Sequence, residues 1–206
     1  MRGEPDSAVQ ADGVREDRSI DWEKAQEGTR LLLEAIGADP GSDRLEETWQ
    51  RRVPNAFETL SEGRHEAAKP SMRSFPTENE GFVVKSGIPV YSLCEHHLLP
   101  YHGVAHVGYE PDGEVVGLSK LSRYVRWQSR RLTIQESLTH EIASGLREEI
   151  GATSVIVELT ATHLCEAMRG IERATETTTR ATVGDLSTTA VRQFERTIDD
   201  GPTRHP

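Results

Sequence analysis

Two short segments rich in cysteine and histidine limit how this chain can fold more than any other feature of its sequence. One is Cys94-Glu95-His96-His97 and the other is His163-Leu164-Cys165, and they contain both cysteines of the 206-residue chain. The segments are far apart in sequence, so only the tertiary structure can bring them together. In a reducing compartment, two thiols flanked by histidines favour a metal or catalytic site over a disulfide.

The spacing within each segment is suited to holding a metal ion. Cys-x-x-His is a workable chelating spacing at a chain bend. His163 and Cys165 are two residues apart on a predicted strand and therefore point to one face, which is the apolar face that Val155 to Ala161 form. Sulfur and imidazole ligands favour zinc. The candidate ligands outnumber the four positions of a tetrahedral ion: Cys94, His96, His97, His163 and Cys165.

Several interpretations of these groups stay open at this point. If three protein groups bind, the fourth position holds a water whose pKa zinc lowers to about 7, and the remaining histidines serve as proton shuttles. If four bind, the metal is structural. The same residues are also compatible with ordinary buried side chains, or with a disulfide between Cys94 and Cys165 on oxidation. His102 and His106 are predicted to be structural or solvated.

The ends of the chain differ in character from its middle. Residues 1–20 are predicted to form a disordered arm and residues 199–206 a loose tail. Residues 21–80 are predicted to be a helical region followed by a loop at 64–80. The first helix should end at Gly37, and the second should begin at a capping box of Asp43 and Glu46 and be kinked or broken by Pro54.

Residues 81–198 show the pattern of an α+β domain. Strands are predicted at 81–93 and 103–110. Two helices follow, the first N-capped by Ser119 and reaching about Arg131, the second with a four-residue apolar repeat from Ile134 to Ile150, closed by Gly151. Strands at 153–165 and 173–183 and a helix at 188–198 complete a core in the order β-β-α-α-β-β.

The composition excludes some classes of partner. The net charge of −10 argues against nucleic acid, because phosphate backbones bind to basic faces. No stretch approaches the roughly 20 apolar residues of a membrane span, and residues 1–19 have no apolar core of a signal peptide, so we expect a cytoplasmic protein. The hydrophobic share of 35% is low for a self-sufficient globule. Self-assembly and disordered ends both account for that share.

The first turn of the predicted helix after Gly117 is suited to binding an anion. Free N–H groups and the positive end of the helix dipole attract anions there, and Ser119, Lys120 and Arg123 add a hydroxyl and two cations. Arg169 is a further cation close to the second Cys/His segment. The alternatives are a solvated basic turn and a surface ion pair.

Gln135 and Glu136 lie in the first turn of the second predicted core helix. Glu136 points away from the apolar stripe of that helix, and a carboxylate there can accept two hydrogen bonds from the edge of a base such as guanine. Taken alone, Glu136 is equally a carboxylate that stabilises the helix dipole.

Four motifs together resemble the GTP cyclohydrolase I family in order and spacing. They are Cys94-Glu95-His96-His97-Leu98-Leu99-Pro100, Gly117-Leu118-Ser119-Lys120-Leu121-Ser122-Arg123, Gln135-Glu136, and His163-Leu164-Cys165 with Arg169-Gly170. The match covers roughly residues 20–198 and is strongest at 88–184.

The resemblance implies a fold, an assembly and a reaction. The fold is the tunnelling fold, with an N-terminal helical extension, and the subunits form a homodecamer of two pentamers with active sites between subunits. Similar enzymes attack guanine C8 of GTP with a zinc-activated water, release formate, rearrange the ribose and close 7,8-dihydroneopterin triphosphate.

The resemblance also implies a role for each motif residue. Zinc would be bound by Cys94, His97 and Cys165, and acid–base chemistry would fall to His96 and His163. Guanine would be read by Gln135 and Glu136. The triphosphate would be bound by Ser119, Lys120, Arg123 and Arg169.

One rival interpretation is another enzyme of the same fold, and a second comes from a non-catalytic class. A nitrile reductase of that fold would need a nucleophilic cysteine, but both cysteines fit as zinc ligands, and a zinc synthase that uses three histidines would not need the cysteines. A protein with a structural zinc that only binds a nucleotide and assembles would bind GTP without opening its ring.

Overall fold

The computed structural model describes residues 20–78 and 81–199, and the chain forms two compact units that divide after Pro54. The predicted arm at 1–20 and tail at 199–206 fall outside the described residues, apart from Ile20 and Asp199. Among the described residues, none of the helices combines the length and the apolar character that crossing a membrane requires.

The described residues form helices and strands in alternation along most of the chain. The helices are α1 (Trp22–Ala35), α2 (Val53–Leu60), α3 (Leu118–Ser129), α4 (Gln135–Ile150), α5 (Leu164–Ala167) and α6 (Thr188–Asp199). The strands are β1 (Ser74–Pro76), β2 (Val83–Cys94), β3 (Pro100–Glu110), β4 (Glu114–Val116), β5 (Leu132–Thr133), β6 (Ser154–His163) and β7 (Glu176–Val183).

The first helix ends as its sequence predicts, and the structure adds the residue that caps its start. The side chain of Asp21 caps the N-terminus of α1 by accepting a hydrogen bond from the Lys24 N–H at 3.0 Å. Gly37 follows the C-terminal end with φ +81°, the left-handed conformation that glycine adopts at low cost.

The predicted capping box of Asp43 and Glu46 is wrong. The Ser42 carbonyl accepts from the N–H groups of Leu45 and Glu46, so Asp43 lies inside a turn and not in the extended backbone that an N-cap requires. The next helical element begins at Thr48 and has no side-chain cap.

The predicted kink at Pro54 takes the form of a wide helical turn. Residues Thr48–Arg52 form a π-helical turn that runs directly into α2. Pro54 has no N–H to donate to the Gln50 carbonyl four residues earlier. The Gln26 side chain supplies that hydrogen bond instead, with 2.8 Å between Nε2 and the Gln50 oxygen.

The main sheet has five strands in the order β5-β2-β3-β6-β7. All neighbours are antiparallel except β2 and β5, which are parallel. The long strands and helices follow the predicted order β-β-α-α-β-β, and the chain is a mixed α/β protein. The predicted loop at 64–80 was too simple, because it contains a short 3₁₀ turn (Glu66–Ala68) and β1, which pairs with β4.

One face of the sheet is buried against α3 and α4. The predicted inward residues of β6 are at most 2% exposed: Val155, Val157, Leu159 and Ala161. Leu138, Ile142 and Leu146 of α4 meet them from the helix side and are fully buried. As predicted, Gly151 ends α4 in the left-handed conformation, with φ +64°.

The limits of α3 differ from the prediction. Its N-cap is Gly117, whose backbone is extended, and Ser119 lies within the first turn and makes no cap hydrogen bond. The helix ends at Ser129, two residues earlier than predicted, because the chain then extends into β5 beside the end of β2. The short strand β5 therefore decides where the helix stops.

Candidate metal centre and substrate site

The ends of three strands bring the two Cys/His segments to the same edge of the sheet. β2 ends at Cys94 and β6 ends at His163, while β3 runs antiparallel between them and pairs Tyr101 with His163. The prediction that Cys165 lies on a strand is wrong. The ladder with β3 ends at the Tyr101–His163 pair, and Cys165 lies in the short helix α5 that follows.

Cys94, His97 and Cys165 form a group that can hold a metal ion. Their ligand atoms all lie within 4.8 Å of one another, and 3.5 Å separates Cys94 Sγ from His97 Nδ1. Both thiols are free. Zinc–sulfur bonds of about 2.3 Å and zinc–nitrogen bonds of about 2.0–2.1 Å at tetrahedral angles place sulfur and nitrogen about 3.5 Å apart. The donor set therefore fits a tetrahedral metal ion such as zinc with three protein ligands.

A tight turn directs His97 back towards Cys94. The Cys94 carbonyl accepts from the N–H groups of His97 and Leu98, at 3.2 and 2.8 Å, and the Cys94 N–H donates to the Leu99 carbonyl at 2.9 Å. Leu98 has φ +56°, a left-handed conformation that costs a residue with a Cβ about 1–2 kcal/mol. The backbone is therefore strained at the residue that follows a candidate ligand.

The protein surroundings of Cys165 favour its neutral thiol over the thiolate. Burial, and then the neighbouring Cys94 thiol, raise the pKa of Cys165, while Arg169 acts in the opposite direction. A bound metal ion reverses this balance, because thiolates are the form that binds metal.

His163 lies beside the metal group with its imidazole stacked on the Tyr101 ring. The ring centroids are 4.7 Å apart and the planes differ by 16°. Burial lowers the pKa of His163, and the charges of Glu136 and Glu166 oppose that shift. The imidazole is therefore neutral near pH 7, which is the form that accepts a proton.

His96 is exposed and is not part of the metal group. Its Nε2 lies 3.7 Å from a carboxylate oxygen of Glu95, and its ring meets the His97 ring edge-on, at 83° and 6.2 Å between centroids. The imidazole of His96 is open to solvent and can exchange protons with it.

The start of α4 also lies at this edge of the sheet. β5 pairs in parallel with the last residues of β2, Thr133 opposite Cys94, and α4 begins two residues later. Glu136 is exposed, as its position in the apolar pattern predicts, and its charge acts on the pKa of His163.

Gln135 faces the sheet and not the solvent. The residue is 1% exposed, and its Nε2 donates to the carbonyls of Leu159 and Thr177, both at 2.8 Å. Its Oε1 is buried without a hydrogen-bond partner among the described residues. The amide of Gln135 thus ties the first turn of α4 to β6 and β7.

The anion-binding candidates Ser119, Lys120 and Arg123 are not brought to the metal group within one chain. The C-terminal end of α3 is the end that lies near the metal ligands. Arg131 follows that end by two residues, and its carbonyl accepts a hydrogen bond at 3.2 Å from Oγ of Ser92, which is two residues before Cys94. The 12 residues of α3 make the helix about 18 Å long. Its first turn is therefore about that far from the edge that carries the metal ligands.

The fold and the site together define a class of protein. The chain is a mixed α/β enzyme whose site can hold one metal ion between two thiols and an imidazole. A neutral histidine and an exposed carboxylate lie beside that group.

Comparison with known proteins identifies the family. The family model described as GTP cyclohydrolase I matches residues 25–198. A GTP cyclohydrolase 1 of Hyperthermus butylicus is 47% identical over 167 residues, which cover 81% of this chain and 84% of the relative. One of Corynebacterium aurimucosum is 42% identical over 84% of this chain and 89% of the relative. This chain belongs to the GTP cyclohydrolase I family, and the resemblance inferred from its motifs is confirmed.

A further relative and one solved structure complete the comparison. A GTP cyclohydrolase 1 of Bifidobacterium longum is 44% identical over 86% of this chain and 90% of the relative. The structure of the archaeosine synthase QueF-Like in the apo form overlaps 53% of this chain at 16% identity, with a TM-score of 0.44. That likeness is too weak to say more about this chain.

Tyr101 is the residue at this site that the sequence analysis missed. Tyr101 falls just before the strand predicted at 103–110 and was not among the candidate ligands. Its position opposite His163 depends on the register of β3 against β6, which no local pattern reveals.

Proposed function

We propose that this chain hydrolyses the imidazole ring of the guanine of GTP, releases C8 as formate and closes 7,8-dihydroneopterin triphosphate for pterin and folate biosynthesis, with zinc as its metal. The observation that carries the proposal is the group of Cys94, His97 and Cys165, whose ligand atoms lie within 4.8 Å of one another. The named relatives support the choice of substrate, since each is a GTP cyclohydrolase 1.

The metal would be held by those three side chains, which leaves one tetrahedral position for a water or substrate atom. When bound, zinc supplies a Lewis acid and lowers the pKa of a coordinated water to about 7. The donor set of two thiols and one imidazole supports zinc over magnesium or calcium, which prefer oxygen ligands.

Proton transfer would fall to the two histidines that are outside the metal group. His163 is neutral because burial lowers its pKa, so a ring nitrogen can accept a proton from the attacking water and return it to the departing ring nitrogen. His96 is exposed and would exchange protons with solvent.

Glu136 would read the guanine. Its carboxylate is exposed at the start of α4 and can accept hydrogen bonds from the N1–H and the exocyclic amine of the base. Gln135 would contribute by holding the first turn of α4 against β6 through its 2.8 Å bond to the Leu159 carbonyl. Its Oε1 is buried, so this contribution of Gln135 would be indirect.

The triphosphate would be bound by Ser119, Lys120 and Arg123 of one subunit together with Arg169 near the metal of another. The length of α3, about 18 Å, supports a site shared between two copies. Lys120 Nζ donates a hydrogen bond to Ser71 Oγ at 3.1 Å, so the segment before β1 also borders this proposed phosphate site.

We propose that the chain is a tunnelling-fold subunit of a homodecamer of two pentamers. Exposed apolar side chains at the metal edge support coverage by a neighbour, among them Leu98, Leu132, Met168 and Ile171. Residues 81–198 would be the catalytic domain and 21–80 the helical extension, between an arm at 1–20 and a tail at 199–206. The enzyme would act in the cytoplasm, where thiols stay reduced, without nucleic-acid or membrane partners.

The reaction is tested by incubating the zinc-loaded protein with GTP and measuring formate and dihydropterin absorbance in parallel. We expect both products in equal amounts. Formate without the pterin would mean that the enzyme stops after ring opening. Neither product at full zinc occupancy would refute the activity and favour a protein that only binds the nucleotide.

Two variants test the assigned residues. Cys165→Ala should lose zinc and turnover together, and full activity without stoichiometric zinc would contradict the metal assignment. Glu136→Gln should reduce the preference for GTP over ITP, which lacks the exocyclic amine. Glu148→Gln, an exposed carboxylate near the other end of α4, is the matched control and should leave that preference unchanged.

The shared site is tested by mixing two inactive proteins. Cys165→Ala lacks the metal group, and Lys120→Ala with Arg123→Ala lacks the phosphate group. If each site uses both subunits, dissociating and reassembling the two together should restore part of the activity. No recovery from mixed assemblies that bind zinc would place both groups in the same subunit's site.

A further inference from the structure

Tyr101 and His163 face each other across the β3–β6 ladder. They are directly opposite residues in the antiparallel register, and their rings are nearly parallel, at 16° and 4.7 Å between centroids. Tyr101 is fully buried, while His163 is half-buried. The tyrosine is therefore part of the rigid core, and the histidine lies between that core and the site.

The hydroxyl of Tyr101 does not explain why an aromatic residue is there. The Oη atom is buried and has no hydrogen-bond partner among the described residues. The Ser92 hydroxyl, on the residue opposite Tyr101 in β2, donates to the Arg131 carbonyl at 3.2 Å, and its nearness to Oη lowers the pKa of Tyr101 by less than burial raises it. Burial raises the pKa of Tyr101 far above its ordinary value, so the phenol stays neutral. What Tyr101 contributes is the face of its ring.

Another tyrosine on the same strand shows the difference. Tyr109 is also buried, but its Oη accepts a hydrogen bond from the Val116 N–H at 3.2 Å and so ties β3 to β4. The hydroxyl of Tyr109 therefore serves the structure of the sheet, whereas the ring of Tyr101 contacts His163, a candidate acid–base residue.

The imidazole of His163 has little else to orient it. Among the described residues no hydrogen bond reaches either ring nitrogen, and the stack on Tyr101 is the aromatic contact that the ring makes there. Histidines that transfer protons are usually oriented by a partner that bonds the second nitrogen. At His163, the buried face of the Tyr101 ring takes the place of that hydrogen-bond partner.

We propose that Tyr101 is a positioning residue that holds the imidazole of His163 in its working orientation by stacking. The proposal rests on the acid–base role given to His163 in the proposed function. An aromatic pair biases a ring orientation by roughly 2- to 12-fold, the factor that corresponds to the usual strength of such a pair. Loss of the stack should therefore lower kcat by a factor in that range.

The experiment compares three variants of the zinc-loaded full chain. Tyr101→Leu should lower kcat by roughly 2- to 12-fold with KM for GTP and zinc content unchanged. Tyr101→Phe keeps the ring and should match the parent protein. Tyr109→Leu makes a similar truncation eight residues along the same strand and should lower stability without changing kcat. Equal kcat values for Tyr101→Leu and Tyr101→Phe, or an equal loss in Tyr109→Leu, would overturn the proposal.

Combining Tyr101→Leu with His163→Ala separates this inference from the proposed function. If Tyr101 acts through His163, Tyr101→Leu should have no further effect on the residual rate of His163→Ala. A second loss of the same size would refute the positioning role. An unchanged rate in His163→Ala alone would instead refute the acid–base role of His163.

A spectroscopic measurement keeps the test independent of whether Tyr101→Leu folds. The ring protons of His163, assigned by their absence in His163→Ala, should be shifted upfield by the facing ring in the parent protein and in Tyr101→Phe. The shift should be lost in Tyr101→Leu, or in Tyr101→Met if the leucine variant does not fold. The absence of an upfield shift in the parent protein would overturn the proposal without any variant at Tyr101.

Discussion

Replacing Gly103 with alanine should force β3 and β6 apart next to the candidate site. A Cβ added at Gly103 would lie 2.0 Å from the Thr160 carbonyl oxygen, 2.6 Å from Ala161 Cα and 2.8 Å from Ala161 Cβ. The first two are backbone atoms of the neighbouring strand, and ordinary contact begins at 3.4 Å. The strands would have to separate by more than an ångström, two residues from the Tyr101–His163 pair.

The expected loss of stability follows from adding a methyl group where the sheet is already close-packed. Overpacking of this kind lowers the free energy of unfolding by about 1–3 kcal/mol. For a chain of this length, each kcal/mol lowers the unfolding midpoint by roughly 2–4 °C, so Gly103→Ala should lose about 2–12 °C. Because the shift occurs beside His163, kcat should fall as well.

The assay is thermal unfolding at fixed protein and zinc concentrations, since both affect the midpoint. Gly28→Ala is the matched control, because its new Cβ meets no atom within 4 Å in the interior of α1. That substitution should leave the midpoint unchanged or raise it, by up to about 1 kcal/mol of helix propensity. An unchanged midpoint in Gly103→Ala would refute the claim that the strands meet too closely for a side chain.

Three further predictions concern strain, a backbone hydrogen bond and pH. Leu98→Gly should stabilise the dissociated subunit, in which Leu98 is exposed, by up to about 1 kcal/mol, because it removes the penalty of φ +56°. A lower unfolding midpoint of that subunit would refute the claim that the backbone is strained there. Gln26→Leu should lower the free energy of unfolding by about 1 kcal/mol, because the Gln50 carbonyl loses its hydrogen-bond donor, and amide hydrogen exchange in α1 should become faster. Adding Pro54→Ala should give that carbonyl a backbone donor and reverse part of the effect. Burial lowers the pKa of His106 from its ordinary 6.5. The stability that the neutral imidazole contributes is therefore complete above pH 6.5 and is lost as the pH falls below it. His106→Gln should lose less stability between pH 7.5 and 5.5 than the parent protein, and an identical loss would contradict the claim that His106 is buried in its neutral form.

Much of the fold could be predicted from the sequence, because the signals are local. The four-residue repeat and Gly151 predicted α4 and its end, and the alternation from Val155 to Ala161 predicted the buried face of β6. Both patterns depend only on the periodicity of the backbone and on which side of an element is apolar. The metal-competent residues were likewise found by chemistry and spacing, and the order of four motifs was enough to indicate the family.

The predictions that were wrong depended on a neighbour that the sequence does not name. Ser119 and Asp43 have the chemistry of helix caps, but the backbone around each is set by other contacts. Cys165 leaves the strand because β3 offers no further partner beyond the Tyr101–His163 pair. The intrinsic preference of a residue for one secondary structure is small, so a contact with a residue distant in sequence can override it.

The sequence by itself determined the set of chemical groups, the class of metal they suit and the order of the long strands and helices. Only the tertiary structure decided which groups meet. It joins Cys94, His97 and Cys165, places Tyr101 against His163, and keeps the first turn of α3 at the other end of that helix. The reason is that strand register and helix length set distances between residues far apart in the chain, and no local pattern in the sequence records those distances.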